Sequence, residues 1–157
     1  MDIEHKIYLT KEGLDKLREE YESLKGVRVE KAKEEVSSAA SSQDVGSEFS
    51  TFQDDLRQLE LRIEEIETTI KNHTLIISPP RGQRRVVFMG ATVLVEVEGQ
   101  TDEFTIVGSL EADPMLGKIS NESPVGKSLL GHKMGDSVKV QSSVVTIYTI
   151  KKIIYNF

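Results

Sequence analysis

Phe49, Phe52, Leu56, Leu59, Ile63, Ile66 and Ile70 follow one another at steps of three, four, three, four, three and four. A repeat averaging 3.5 residues sets all of them on one seam of an α-helix, and that seam needs a second helix to cover it. The segment therefore predicts one strand of a coiled coil. Leu14, Leu17, Tyr21 and Leu24 keep the same spacing, and Val29, Ala32, Val36 and Ala39 resume it after a five-residue step around Gly26. The partner strand is thus internal, with a kink or restart expected near Gly26. Thr10 is placed to cap the first helix, with Glu12 close to its positive end. Between the two strands, Ser37 to Ser47 reads SSAASSQDVGS. Its serines, Asp and Gly compete with or interrupt a helical backbone, which predicts the tip of a hairpin. A helix of about 35 residues at ~1.5 Å each gives a finger of roughly 50 Å.

Both the period and the composition change after Ile77. Ser78 to Arg85, SPPRGQRR, holds two prolines, a glycine and three arginines. Proline removes a donor and restricts the residue before it, so this stretch is expected to end the helix and act as a short linker. Beyond it, Val86–Val97, Phe104–Val107 and Val138–Ile154 are rich in Val, Ile, Thr and Tyr and are bounded by Gly, Asp and Asn. They predict the strands of a small sheet. Ser123-Pro124 before VGKSLLG predicts one short helix, with Ser as N-cap, Pro in the first turn and Gly131 as the stop. The expected class is α+β: a helical finger over residues 1–77, a linker over 78–84 and a sheet domain over 85–157.

Charge narrows the function. The chain has 20 Lys and Arg against 26 Asp and Glu, a net charge of −6, which excludes a basic protein that coats nucleic acid. Residues 1–79 hold 11 basic and 18 acidic side chains, and residues 80–157 hold nine and eight. The whole surplus lies in the first half. From Glu34 to Leu56 there is no Lys or Arg, while Glu34, Glu35, Asp44, Glu48, Asp54 and Asp55 are all acidic. Asp44 and Glu48, four apart near the turn, could hold a hard divalent ion such as Mg²⁺, which takes one or two carboxylates together with water and substrate oxygens. The competing reading is a solvated tip kept soluble by its charge. No spacing forms a complete Ca²⁺ loop.

Other chemistry is sparse. The absence of Cys removes disulfides, thiolate metal sites and Cys nucleophiles. His5, His73 and His132 are far apart and form no HxxxH or HExxH pattern. Gly126 to Ser128, GKS, echoes the end of a phosphate-binding loop, but the Gly required five residues earlier is Asn121. No GxSxG elbow exists. Arg81, Arg84 and Arg85 form the strongest basic cluster and are read as solvated beside the linker. The amino terminus, MDIEHKIYLT, lacks the basic and then apolar character of a signal peptide. No run approaches the ~20 apolar residues of a membrane span, so no membrane association and a cytoplasmic location are expected. The chain reads as one that binds, or lends residues to another active site, rather than as a free-standing enzyme.

The combination resembles the bacterial Gre transcription elongation factors over nearly the whole chain. The matching stretches are LTKEGLDKLREEYESLK (Leu9 to Lys25), RIEEIETTI (Arg62 to Ile70), MGATVLVE (Met89 to Glu96), FTIVGSLEADPMLGKIS (Phe104 to Ser120) and SPVGKSLLGHKMGD (Ser123 to Asp136). The resemblance implies an FKBP-like carboxy-terminal domain that docks at the rim of the RNA polymerase secondary channel, and a coiled-coil finger that enters the channel. Glu122, Ser123 and Pro124 match the docking loop, with Glu in place of the usual Asp. It also implies that tip carboxylates help hold a Mg²⁺ shared with the polymerase, whose own active site then hydrolyses backtracked RNA by two-metal chemistry. On that reading the protein has no cofactor of its own, meets nascent RNA only within the elongation complex, and is a monomeric, cytoplasmic, DNA-binding regulator of transcription.

The tip departs from the family pattern. Cleavage-competent members carry an acidic motif like G-D-L-S-E-N-A-E-Y, whereas Gln43 to Phe49 reads QDVGSEF, two residues shorter. Asp44 then matches the family's Asp, Glu48-Phe49 match the later Glu-Tyr pair, and the intervening catalytic Glu has no counterpart. Glu48 is the available substitute, at a spacing of four where the family places three, and near-attack geometry is sensitive to such a change. The basic patch with which the family grips the RNA end is also missing near the tip. Two functions follow within the resemblance: a transcript-cleavage factor with Asp44 and Glu48 as metal ligands, or a channel-binding regulator or inhibitor that does not promote cleavage. An unrelated coiled-coil adaptor is the reading outside it.

Overall fold

The computed structural model describes residues 5–39 and 46–157. They divide into two compact units, one drawn from residues 14–72 and the other from residues 5–13 together with 73–157.

The helical unit holds most of α1 (Lys11–Ala39) and α2 (Ser47–Asn72). α1 starts at Thr10, whose Oγ1 accepts the Gly13 N–H at 3.0 Å, the expected N-cap. It then runs unbroken through Gly26, so the helix does not restart there. In a continuous helix a five-residue step turns the chain by about 500°, which leaves Val29 about 140° around the axis from Leu24. The second apolar row therefore leaves the face of the first. Leu14 is buried and Leu17, Tyr21 and Leu24 are half-buried, whereas Val29 and Val36 are 50% and 74% exposed. On α2 the seam is buried at Ile63 and Ile66, half-buried at Phe52, Leu56, Leu59 and Ile70, and exposed at Phe49. Polar pairs cross between the helices: Arg62 meets Glu20 at 2.8 Å and Lys31 meets Asp55 at 3.8 Å. The order of the pairs, 20 with 62 and 31 with 55, shows that the helices run antiparallel. Exposed ion pairs of this kind contribute little to stability, and apolar burial around Ile63 and Ile66 contributes more.

The sheet unit begins where the finger was expected to continue. β1 (Ile7–Leu9) pairs in parallel with β2 (His73–Leu75), with Ile7 opposite His73 and Leu9 opposite Leu75. α2 thus ends at Asn72, and a strand rather than the proline linker terminates it. This pairing places residues 5–13 and 73–77 in the sheet unit, although the sequence pattern assigns them to the finger. The proline stretch is itself ordered by a 3-10 turn at Arg81–Gln83, and the Arg84 Nε–H donates to the Pro79 carbonyl at 3.2 Å.

Five further strands form a sheet in the order β5-β4-β3-β7-β6. β3 (Thr92–Val97) and β4 (Gln100–Val107) form a hairpin through Glu98 and Gly99, both with positive φ, as a two-residue turn matched to strand twist requires. β3 is shorter than the expected Val86–Val97 strand, because residues 86–91 form turns and a single bridge from Val86 to Lys133. β5 (Lys118–Ser120) lies parallel to β4. The expected Val138–Ile154 strand is a second hairpin, β6 (Ser137–Gln141) with β7 (Val145–Ile154). α3 (Pro124–Leu129) has its predicted Ser123 cap and proline start, and Leu129 enters the core. That core comprises Val87, Ala91, Val93, Val95, Ile106, Leu129, Val138 and Ile150. The architecture is α+β, as the sequence predicts.

Candidate functional site

The loop between β5 and α3 carries Glu122, Ser123 and Pro124, and a web of hydrogen bonds holds it. Ser123 Oγ accepts the Gly126 N–H at 3.0 Å, the N-cap bond of α3, and donates to the Ser120 carbonyl at 2.7 Å. Its hydroxyl is thereby used within the loop. Pro124 opens α3, where no backbone donor is required, and its ring is exposed. Glu122 leaves 52% of its side chain exposed. Two of the three predicted docking residues therefore face outward, and the third shapes the loop.

Glu122 is not free to wander. Ser109, in the 3-10 turn Ser109–Glu111 that follows β4, donates its hydroxyl to Glu122 Oε2 at 2.9 Å. Ser120 Oγ lies 2.8 Å from Ser109 Oγ and accepts the Glu122 N–H at 3.0 Å. His5 Nδ1 stands 3.5 Å from Oε1. The Ser109 hydrogen bond holds the Glu122 carboxyl below its ordinary value against the opposing effect of desolvation, with lesser help from His5 and Lys127. The group is an anion at neutral pH. A rigid loop bearing an oriented carboxylate beside an exposed proline suits a partner that offers a cationic donor and an apolar contact. Ser109, Ser120 and His5 escape sequence reasoning: Ser109 stands thirteen residues from Glu122, and only the β4–β5 register, Val107 opposite Ser120, reveals the proximity.

The same 3-10 turn has a second use. Glu111 accepts the Thr10 N–H at 2.7 Å and also the Thr10 hydroxyl, and its carboxylate fills the space that a Cβ at Gly13 would need. An acidic side chain at this helix start is favourable for the partial positive charge there. Further along, Asp136 Oδ2 accepts the Lys133 N–H at 2.8 Å, which holds that carboxyl below its ordinary value. Glu111 and Asp136, which lie in two of the stretches that carry the resemblance, thus have structural roles.

Of the predicted metal ligands, Asp44 lies outside the described residues, and Glu48 falls in the first turn of α2 with its side chain outside them. Among the described residues, no group of three or more His, Cys, Asp or Glu side chains is placed to hold a metal ion. Nor is any helix among them long and apolar enough to cross a membrane.

Two family models divide the chain between them. The transcription elongation factor N-terminal model matches residues 7–75, and the GreA/GreB C-terminal model matches residues 82–155. The chain belongs to the GreA/GreB family. It is 43% identical over 146 residues to transcription elongation factor GreA of Halalkalibacterium halodurans, covering 90% of this chain and 92% of that one. With GreA of Alkaliphilus oremlandii the identity is 41%, covering 98% and 99%. With that of Thermomicrobium roseum it is 40%, covering 87% and 89%. Among solved structures, the GreA factor homolog 1 of Thermus thermophilus superposes with a TM-score of 0.41 at 24% identity, covering 95% of this chain and 99% of that one. The family assignment rests on the sequence matches.

Proposed function

We propose that this GreA/GreB family member is a transcription elongation factor that binds bacterial RNA polymerase through the secondary channel and stimulates cleavage of backtracked transcripts. The observation that carries the reading is the identity of 40–43% with proteins named transcription elongation factor GreA across both units of the chain. Glu122 and Pro124 dock the sheet unit at the channel rim, with Ser123 shaping the loop. The protein is no enzyme itself; Asp44 and Glu48, both hard oxygen donors, would hold a Mg²⁺ shared with the polymerase. That ion would supply Lewis-acid stabilisation and an activated water to the polymerase's own hydrolysis. Contact with nascent RNA is indirect, and the factor acts as a cytoplasmic monomer.

One observation favours a second reading, a channel-binding regulator without cleavage. The stretch QDVGSEF is two residues shorter than the cleavage motif and lacks its middle Glu. A stalled, backtracked elongation complex separates the two. Short 3′ fragments above the polymerase-alone rate, lost in Asp44→Asn while binding persists, are expected of a cleavage factor. Binding without fragments assigns the regulator role, and no binding at all removes both.

A further inference from the structure

Glu122 carries its charge one methylene further from the backbone than an Asp would, and that methylene adds a rotatable bond between the loop and the charge. An exposed Glu is ordinarily spread over several rotamers, and fixing one on binding costs affinity. Here the cost is met within the fold. An ionised carboxylate only accepts, so the 2.9 Å contact with Ser109 consumes that residue's single hydroxyl proton. The 2.8 Å contact between the serines must then be a donation from Ser120 to Ser109. Ser120, its proton committed, accepts the Glu122 N–H at 3.0 Å. The three bonds close a ring: Glu122 N–H to Ser120, Ser120 to Ser109, and Ser109 to the Glu122 carboxylate. All donations run in one direction around it, the arrangement in which each bond polarises the next. His5 and Lys127 are the charged or titratable groups acting on the same carboxylate.

We propose that Ser109 and Ser120 are positioning residues, which lock the Glu122 carboxylate in one orientation before the polymerase arrives and so prepare it for a single Arg or Lys of the partner. Ser109 comes from the turn after β4 and Ser120 ends β5, so the ring also ties the docking loop to the sheet edge. This inference rests on the docking reading given above.

The test measures the dissociation constant of the full-length protein for RNA polymerase, for wild type, Ser109→Ala, Ser109→Thr, Glu122→Gln and the Ser109→Ala/Glu122→Gln double variant. Releasing one ordered side chain corresponds to a loss of about three- to ten-fold, which is expected of Ser109→Ala. Ser109→Thr keeps the hydroxyl and should stay within about two-fold. In the Glu122→Gln background Ser109→Ala should add nothing, because there is no longer a carboxylate to aim. An equal loss with and without Glu122 marks a general structural role and overturns the proposal. So does an unchanged Ser109→Ala beside a weakened Glu122→Gln, an outcome that leaves the docking reading intact. An NMR titration of the Glu122 side-chain carboxyl in the free protein reads the ring without the polymerase. Ser109→Ala should raise its midpoint toward the ordinary glutamate value, and an unmoved midpoint also overturns the proposal. If the midpoint moves but neither Glu122→Gln nor Ser109→Ala affects binding, the ring stands and docking through Glu122 fails, and the positioning role falls with it.

Discussion

Gly126 shows how a residue can be correctly set aside for one role and still hold another. In sequence it opens the GKS echo of a phosphate loop, which Asn121 disqualifies. In the fold it is the point where α3 passes over Ser120: a Cβ there would overlap the Ser120 carbonyl oxygen. That oxygen accepts from both the backbone and the hydroxyl of Ser123, at 3.0 and 2.7 Å. Gly126→Ala must push the helix off this acceptor, an overpacking cost of about 1–3 kcal/mol. A fall in Tm of roughly 2–10 °C is expected, together with weaker polymerase binding, because Ser120 also belongs to the Glu122 ring. A Tm unchanged from wild type would show that the loop yields freely.

At the scale of elements, the two helices were legible and their burial was only half so. The 3-4 repeat found α2 because its period is unbroken. It misjudged α1, because a five-residue step can mean a break or a rotation, and only backbone continuity decides. The sheet was legible in class but not in ends: Val86 to Ala91 has strand-like composition yet closes turns around the core. β1 and β2 were missed because a three-residue strand leaves no period to detect. The loop before α3 was legible through its Ser-Pro cap, whereas its serine partners were hidden, since sheet register has no local signature. Gly26 has open space around it and sits inside a continuous helix. Gly26→Ala should therefore stabilise the helical unit by about 0.5–1 kcal/mol, through helix propensity and a less disordered unfolded chain. Thermal unfolding followed by circular dichroism at 222 nm checks this; a lower midpoint would mean that the glycine relieves a strain within the helix.

For the molecule as a whole, the chain's first described strand is a structural part of the unit that its last residues complete. Leu9 is fully buried, its carbonyl accepts the Ile76 N–H at 2.7 Å, and the residue pairs in register with Leu75. Leu9→Ala removes a buried side chain in the range of about 2–5 kcal/mol. The sheet unit should lose that stability even though residues 85–157 are untouched. Urea unfolding of the full chain, with amide exchange read at Val93 and Ile150, tests it. Exchange at those two amides unchanged from wild type would show that the sheet domain stands without its amino-terminal strand.

The parallel pairing of β1 with β2 also constrains the order in which the chain can fold. Adjacent strands that flank the whole 14–72 segment can meet only after that segment has been closed as a loop. Closing it as a random coil would be a slow, entropically costly step, and the cost falls when the intervening chain is already doubled back on itself. Local contacts within α1 and α2 form without any such closure. The two helices thus act, during folding, as the splint that brings β1 and β2 together.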